Sequence, residues 1–417
     1  MKSVVKDIPK GYKESVLGVI PDDWSIVRLK DKFDRITTKN KKGLTNVLTI
    51  SAQHGLINQE EYFNKSVASK NLSNYTVLEK GDFAYNKSYS TGYPYGAIKK
   101  LKKYDEGVVS PLYICFRPSK NNKSPDFYEQ YFEAGMLNRE IHAIAQEGAR
   151  NHGLLNISIG DFFNTFIIDA DEKELNKIAE ILNTWDKAIE LKEKLIEQKK
   201  ELKKGLMQKL LTGEVRLPGF DGEWKNEKIK NISNVFRGAS PRPISDPKWF
   251  DEQSEIGWVR ISDVTKSNKV LHQTEQYLSD EGVKKSRLVK KNSIIMSICA
   301  TVGKPVITGF DVCIHDGFVV FEDVQINKDY FYFALLRKEN HWEKYGQTGS
   351  QMNLNTDIVG SEKILFPGDP FEQQAIANIL ITADREINLL ESELEFIRNQ
   401  KKGLMQLLLT GKVRVQV

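Results

Sequence analysis

Near the end of the chain, apolar residues recur in alternating steps of four and three: Ile376, Leu380, Ala383, Ile387, Leu390, Leu394, Ile397, Leu404 and Leu408. Lys401 alone interrupts the series. Such spacing predicts a long amphipathic helix whose apolar seam faces a partner helix. The same element occurs earlier. "KKGLMQKLLTG" from Lys203 and "KKGLMQLLLTG" from Lys401 differ only at Lys209 and Leu407, and their start positions differ by 198. That offset also superimposes Ile178, Ala179, Ile181, Leu182, Thr184, Asp186, Ile189 and Leu191 on Ile376, Ala377, Ile379, Leu380, Thr382, Asp384, Ile387 and Leu389. Each predicted helix is roughly 38 residues, or about 57 Å, and ends at a Thr-Gly pair whose glycine suits a left-handed cap. In the first copy Lys192 and Lys199 replace Leu390 and Ile397, while Leu191, Leu195 and Leu202 broaden the stripe. So long a helix with one greasy seam needs cover. Either the two copies pair antiparallel, the intervening chain allowing the return, or each buries its seam on another protein.

Before each helix the pattern changes to short β-branched and aromatic runs between Gly, Asn and Ser, such as "NVLTIS", "GVVSPLYICF", "NSIIMSICATVG" and "DGFVVFE". These predict strands and hairpins. The chain is therefore divided into a first mostly β domain (1–170), a first repeat helix (171–212), a second β domain (213–370), and a second repeat helix with its tail (371–417). The β domains echo each other faintly. "YTVLEKGDFAYNKSYSTG" matches "SRLVKKNSIIMSICATVG" in pattern, and "QEGARNHGLLNISI" matches "QTGSQMNLNTDI", pairing Asn156 with Asn355. Trp24 and Trp224 mark the two domain entrances.

With 417 residues, 40% hydrophobic and 28% charged, the chain reads as a folded protein of more than one domain. A formal charge of +5 leans mildly toward anionic partners without establishing any. Cys115, Cys299 and Cys313 are too sparse for a disulfide framework and have no zinc-site spacing, which fits a reducing cytoplasm. "MKSVVKDIPKGYKES" lacks the apolar stretch of a signal peptide, and no apolar run is long enough to span a membrane.

The common catalytic signatures are missing. No Pro-Pro pair serves an adenine-methylating strand, no Gly-rich loop of the GxGxxG type follows a strand, and Gly303-Lys304 runs into Pro305. The histidines show no metal-ligand spacing. Pro125-Asp126 has its nearest Glu-x-Lys partner, Glu197 and Lys199, inside the long helix, the wrong setting for a nuclease. His315-Asp316 is either a catalytic pair or, with no third partner in sequence, a turn.

The loops instead carry groups that hydrogen-bond base edges and phosphates. In the first domain the candidates are Asn86, Lys87, Ser88 and Tyr89 in "YNKSYSTGYPYG", then Arg150, Asn151 and His152 in "GARNHG". In the second they are Arg237, Arg242, Arg260, Ser262 and Lys304, then Ser350, Gln351 and Asn353. The competing reading has the tyrosines packing a β core and the polar residues capping turns. Lysines 199, 200, 203 and 204 read as a solvated helix face more readily than as DNA contacts.

The doubled ending, Lys203 to Arg216 and Lys401 to Arg414, together with "IPDDWSIVRL", "PGFDGEW" and "WVRISD", resembles the specificity subunits of Type I restriction-modification systems. The resemblance covers nearly the whole chain. It implies an α+β fold in which two mixed, mostly β target-recognition domains are separated by two long antiparallel coiled-coil helices, with an internal pseudo-twofold repeat. It further implies a non-catalytic subunit that binds an asymmetric bipartite site on double-stranded DNA, one half-site per domain, with the helix pair setting the spacer. Its partners would be two methyltransferase subunits, which bring S-adenosylmethionine, and restriction subunits, which bring ATP and Mg; no cofactor is expected in this chain and no membrane partner. A coiled-coil scaffold without DNA specificity, or a self-sufficient DNA-modifying enzyme, are the alternatives.

Overall fold

The repeated 3-4 pattern forms two helices of 39 residues, Glu172–Leu210 and Pro370–Leu408. They belong to a computed structural model that describes residues 8–51, 54–63, 69, 71–90, 92–145, 155–339, 341–342 and 354–417. None of its described helices is long and apolar enough to cross a membrane. The chain divides into two compact units, Met1–Lys192 with Glu393–Val417, and Glu193–Ser392. Each unit thus contains a globular part, the opening half of one long helix and the closing half of the other.

In the first unit, strand Ser25–Arg28 pairs with Phe166–Asp169, and a four-stranded antiparallel sheet takes the order Phe33–Arg35, Ile114–Pro118, Phe83–Asn86, Ala97–Lys100. Phe33, Phe83, Phe116 and Phe132 pack mutually with ring centroids 5.3–6.0 Å apart. This core continues onto Ile178 and Leu182 of the first helix, Met405 and Leu408 of the second, and Leu409 just past its end.

The second unit repeats the plan with additions. Trp224–Lys228 pairs with Lys363–Pro367, and Asn234–Arg237, Phe318–Glu322, Ile294–Ser297 and Pro305–Thr308 form the matching sheet, extended by Val270–Leu271. Its core takes Met207 and Leu210 from the first helix, Leu211 just past its end, and Ile376, Ala377 and Leu380 from the second. These are the counterparts, at the 198 offset, of the residues used in the first unit.

Within each unit the helix halves run antiparallel, and charges mark their register. Asp186 meets Lys401 at 2.6 Å and Lys192 meets Glu393 at 2.8 Å in the first unit. In the second, Lys199 meets Glu386 at 2.5 Å, Lys200 meets Glu391 at 2.7 Å, and Lys203 meets Asp384. Lys401, the interruption of the apolar series, therefore lies buried in the seam with its ammonium on a carboxylate. Leu191, Leu195 and Leu202 do not broaden that seam but face solvent. They sit one position off the 3-4 series, and the seam positions themselves go to Lys192 and Lys199, whose long stems reach the facing carboxylates. Lys199, Lys200 and Lys203 are likewise helix-to-helix partners, not a freely solvated face.

Each helix closes as its Thr-Gly pair predicts. The Thr212 and Thr410 hydroxyls donate to the carbonyls of Gln208 and Gln406, while Gly213 and Gly411 take φ of 70° and 67°. Just beyond, an arginine clamps the unit. Arg216 forks onto the Glu372 carboxylate at 2.8 and 2.9 Å with its guanidinium over Trp224. Arg414 forks onto Glu174 at 2.6 and 2.8 Å and onto Asp23, and Trp24 donates its indole N–H to the same Glu174. Glu372 is 0% exposed. Arg216→Ala strands that carboxylate and should cost about 3 kcal/mol, seen as a lower urea midpoint. Arg414→Ala should cost less, because Trp24 still donates to Glu174.

Candidate functional site

Two parallel strands of the second unit, Gly257–Val259 and Val312–Ile314, end side by side and deliver Arg260 and His315 to one mouth. The Arg260 N–H donates to the Asp263 carboxylate at 2.8 Å, which starts the short helix Ile261–Lys266 and turns Ser262 outward. A third wall comes from the segment after strand Asn234–Arg237. It approaches so closely that a Cβ on Gly238 would lie 2.1 Å from the His315 carbonyl oxygen, so only glycine fits. Arg237 donates Nε–H to the Asp316 carbonyl at 2.7 Å, Ser240 donates to the Asp316 carboxylate at 2.8 Å, and Arg242 stands 3.7 Å from it.

The result is a cleft of about 600 Å³ lined by Arg242, Arg260, Ser262, Trp258, His315 and Asp316 among others. Three predicted residues, Arg242, Arg260 and Ser262, thus converge, with Arg237 held at the edge. Asp316 anchors one wall of the cleft through Ser240 and Arg237, and the hydroxyl of Ser240 holds its carboxyl below the ordinary range. Burial pushes the His315 imidazole below its usual 6.5. Its Nδ1 accepts the Gly317 N–H at 2.9 Å and so carries no proton toward Asp316, 3.9 Å away. His315-Asp316 is a turn, not a proton relay. What the cleft offers is donors: guanidinium groups and a hydroxyl over an aromatic floor.

In the first unit the predicted loop leaves strand Phe83–Asn86. Asn86, Lys87 and Ser88 are half-buried, and Tyr89 is exposed. The Asn86 carboxamide accepts the Ser88 N–H at 3.1 Å, and the Lys87 carbonyl accepts the Leu155 N–H at 3.0 Å. Its tyrosines divide. Tyr85 is buried and donates to the Tyr95 carbonyl, Tyr93 donates to Glu133, and Tyr95 meets His142. Only Tyr89 of the four is turned to solvent.

Lys304 does not join the Arg260 cleft. Its ammonium donates to the Thr265 carbonyl at 2.9 Å, at the far end of the short helix, within a different recess. Arg150, Asn151, His152, Ser350, Gln351 and Asn353 lie outside the described residues. Sequence reading missed the Asp316 carboxylate as the partner of Ser240; nothing in "CIHDG" distinguishes a carboxylate that anchors a neighbouring segment from one closing a turn.

Residues 221–398 match the family described as Type I restriction modification DNA specificity domain. Along nearly its full length the chain is similar to the putative type I restriction enzyme MjaX specificity subunit of Methanocaldococcus jannaschii, at 26% identity over 98% of this chain and 97% of that one. It is also similar to the MjaVIII specificity subunit of the same organism, at 24% identity over 95% and 94%. Among solved structures, its fold matches a chain from a study of assembly and conformational transition in the type I R-M system, with a TM-score of 0.58, 14% identity and coverage of 94% and 99%. The S subunit of a Type-I restriction-modification system from M. genitalium matches at 0.54, with 15% identity over 92% and 96%.

The protonation state assigned to the cleft is open to direct measurement. The His315 imidazole should titrate below 6.5 in an NMR pH series, and lower again in Asp316→Asn, which removes the one carboxylate that favours its charged form. Because the folded value is depressed, the stability that neutral His315 allows is present above 6.5 and declines as pH falls below it.

Proposed function

We propose that this chain, a member of the Type I restriction-modification specificity-subunit family, reads an asymmetric two-part DNA site with one globular domain per half-site. The long helices serve as the constant frame that sets the spacer and docks two methyltransferase subunits. Those subunits supply S-adenosylmethionine and the methylating residues; restriction subunits supply ATP-driven translocation and cleavage. The chain itself contributes recognition and no catalysis, and works in the cytoplasm.

The observation that carries this reading is a constant frame bearing unlike loops. Helix ends, ion pairs and arginine clamps recur at the 198 offset, whereas the loop chemistry does not: Asn86, Lys87 and Ser88 in one unit, Arg242, Arg260 and Ser262 in the other. Two-partner docking draws support from Leu191 and Leu389, which hold the same place in the two copies and are both exposed, at 54% and 61%. Guanidinium and amide side chains at the loops suit guanine and adenine edges in the major groove.

Sequencing of methylated adenines in cells with and without this chain tests the reading, since a bipartite motif should appear only with it. Lys87→Ala should then relax the first half-site and Arg260→Ala the second, each by about 1–3 kcal/mol of discrimination and without affecting the other half. A motif that persists in cells lacking the chain defeats the assignment. Insertion of four residues into each long helix adds about 6 Å of helix, equivalent to one or two base pairs at about 3.4 Å each. The preferred spacer should lengthen by that amount while both half-sites stay unchanged. Altered half-sites at constant spacing would refute the ruler.

A further inference from the structure

We infer that the second unit carries an additional, sequence-independent DNA contact: a phosphate cleft formed by Lys204, Lys304 and Arg337. The inference rests on the DNA-specificity reading above and adds a site to it. A recess of about 810 Å³ separates the closing turns of the first long helix from the globular part of its unit. Lys200, Lys203 and Lys204 line it from the helix; Lys269, Lys304 and Arg337 line it from the other side. The acidic residues in the lining are Glu201, Asp384 and Glu391.

Pairing accounts for half of the cations. Lys200 is held by Glu391 at 2.7 Å, Lys203 by Asp384, and Lys269 by Asp329 at 2.6 Å. The other three are less well matched. Lys204 has its carboxylate partner, Glu201, only at 3.9 Å, with both side chains well exposed. The Lys304 ammonium donates to a neutral carbonyl, that of Thr265. Glu339 lies near enough to feel Lys304, but burial holds its carboxyl above the ordinary range. Arg337 adds positive charge to the lining, its Nε being covered and closed to an incoming anion. Unspent donors around a wide recess suit an anion with several oxygens, and a phosphodiester backbone presents such groups in series.

Position identifies DNA as the source of those phosphates. The short helix Ile261–Lys266 begins at Arg260 and Ser262 in the first cleft and ends where Thr265 receives Lys304 in this one. Six helical residues span about 9 Å. That is less than the roughly 12 Å width of a B-DNA major groove. A base edge placed at Arg260 therefore brings a flanking backbone within reach of Lys304. Phosphate contacts position a duplex and carry no sequence information of their own.

The test uses the full chain in complex with its methyltransferase. Binding is measured across salt on two duplexes of equal length, one holding the methylated motif and one scrambled. Replacing both Lys204 and Lys304 by Ala should weaken both duplexes alike, on the order of tenfold, and reduce the log–log salt slope by about two. The methylation motif should stay the same. Lys204→Ala combined with Lys304→Arg should recover about half the lost slope, since Arg keeps the charge. Unchanged affinity and slope in the double variant would overturn the inference. Loss of methyltransferase from the complex with the DNA slope intact would overturn it as well, assigning the recess to a protein partner. A wild-type complex that fails to distinguish the two duplexes defeats the specificity reading itself; one that distinguishes them but ignores the lysine changes defeats only the cleft.

Discussion

A carboxylate buried at the first turn of each long helix is the constraint around which each unit is assembled. Glu174 and Glu372 are nearly inaccessible to water, and an unpaired charge in that position would cost several kcal/mol. Each is met by an arginine that follows the end of the opposite helix, Arg414 and Arg216 respectively. The tryptophan at the domain entrance stacks under that guanidinium in both units. Among the described residues Glu372 is satisfied by Arg216 alone, whereas Glu174 also takes the Trp24 indole N–H, so three segments far apart in sequence meet at the first junction. The start of one helix, the segment after the end of the other and the tryptophan at the domain entrance become a single junction in each unit. The bidentate fork fixes the angle as well as the distance at which they meet.

The seam between the helix halves obeys the same logic at lower stakes. An all-leucine seam would let the helices slide by a heptad at small cost, because every register buries similar area. Lys401 on Asp186 and Lys203 on Asp384 penalise such slippage, since a shift would leave an ammonium in an apolar groove. Lys192 and Lys199 extend the series of cross-helix pairs where the second copy has Leu390 and Ile397. Stability is exchanged for register.

Much of this frame was legible in the sequence because helical periodicity is local and was written twice. Helix extent and the Thr-Gly caps follow from the local spacing of the two repeat segments, while that spacing left antiparallel pairing and burial on another protein both open. The orientation of Leu191, Leu195 and Leu202 was not legible. An apolar residue one place off the seam looks like extra seam until the facing helix shows carboxylates waiting for Lys192 and Lys199. The clefts were harder still. Arg260 and Ser262 are near neighbours in sequence, but their junction with Arg242 and Asp316 depends on a parallel strand pair and on Gly238 passing over His315. Lys304 looked like a member of that group by residue type; the short helix between them puts it in another recess.

The two globular parts show how one scaffold accommodates different loop chemistry. In both, a strand, a left-handed turn and a second strand precede the variable loop: Thr76–Glu79, Gly81 and Phe83–Asn86 in the first, Arg287–Val289, Asn292 and Ile294–Ser297 in the second. Gly81 and Asn292 both take positive φ, which glycine and asparagine tolerate best. Just past the second strand, the carbonyls of Lys87 and Ile298 accept the N–H groups of Leu155 and Leu354, which directly precede the paired Asn156 and Asn355. The helix caps then diverge by two residues, Ser158 in one unit and Asn355 in the other. The backbone bond is common to both, while the side chain above it is a half-buried lysine in one and a buried isoleucine in the other. A main-chain hydrogen bond is indifferent to side-chain identity, so this frame can hold its shape while the residues on it change. Loop chemistry can then vary without disturbing the helix junction, because no residue of the arginine clamp comes from the loops.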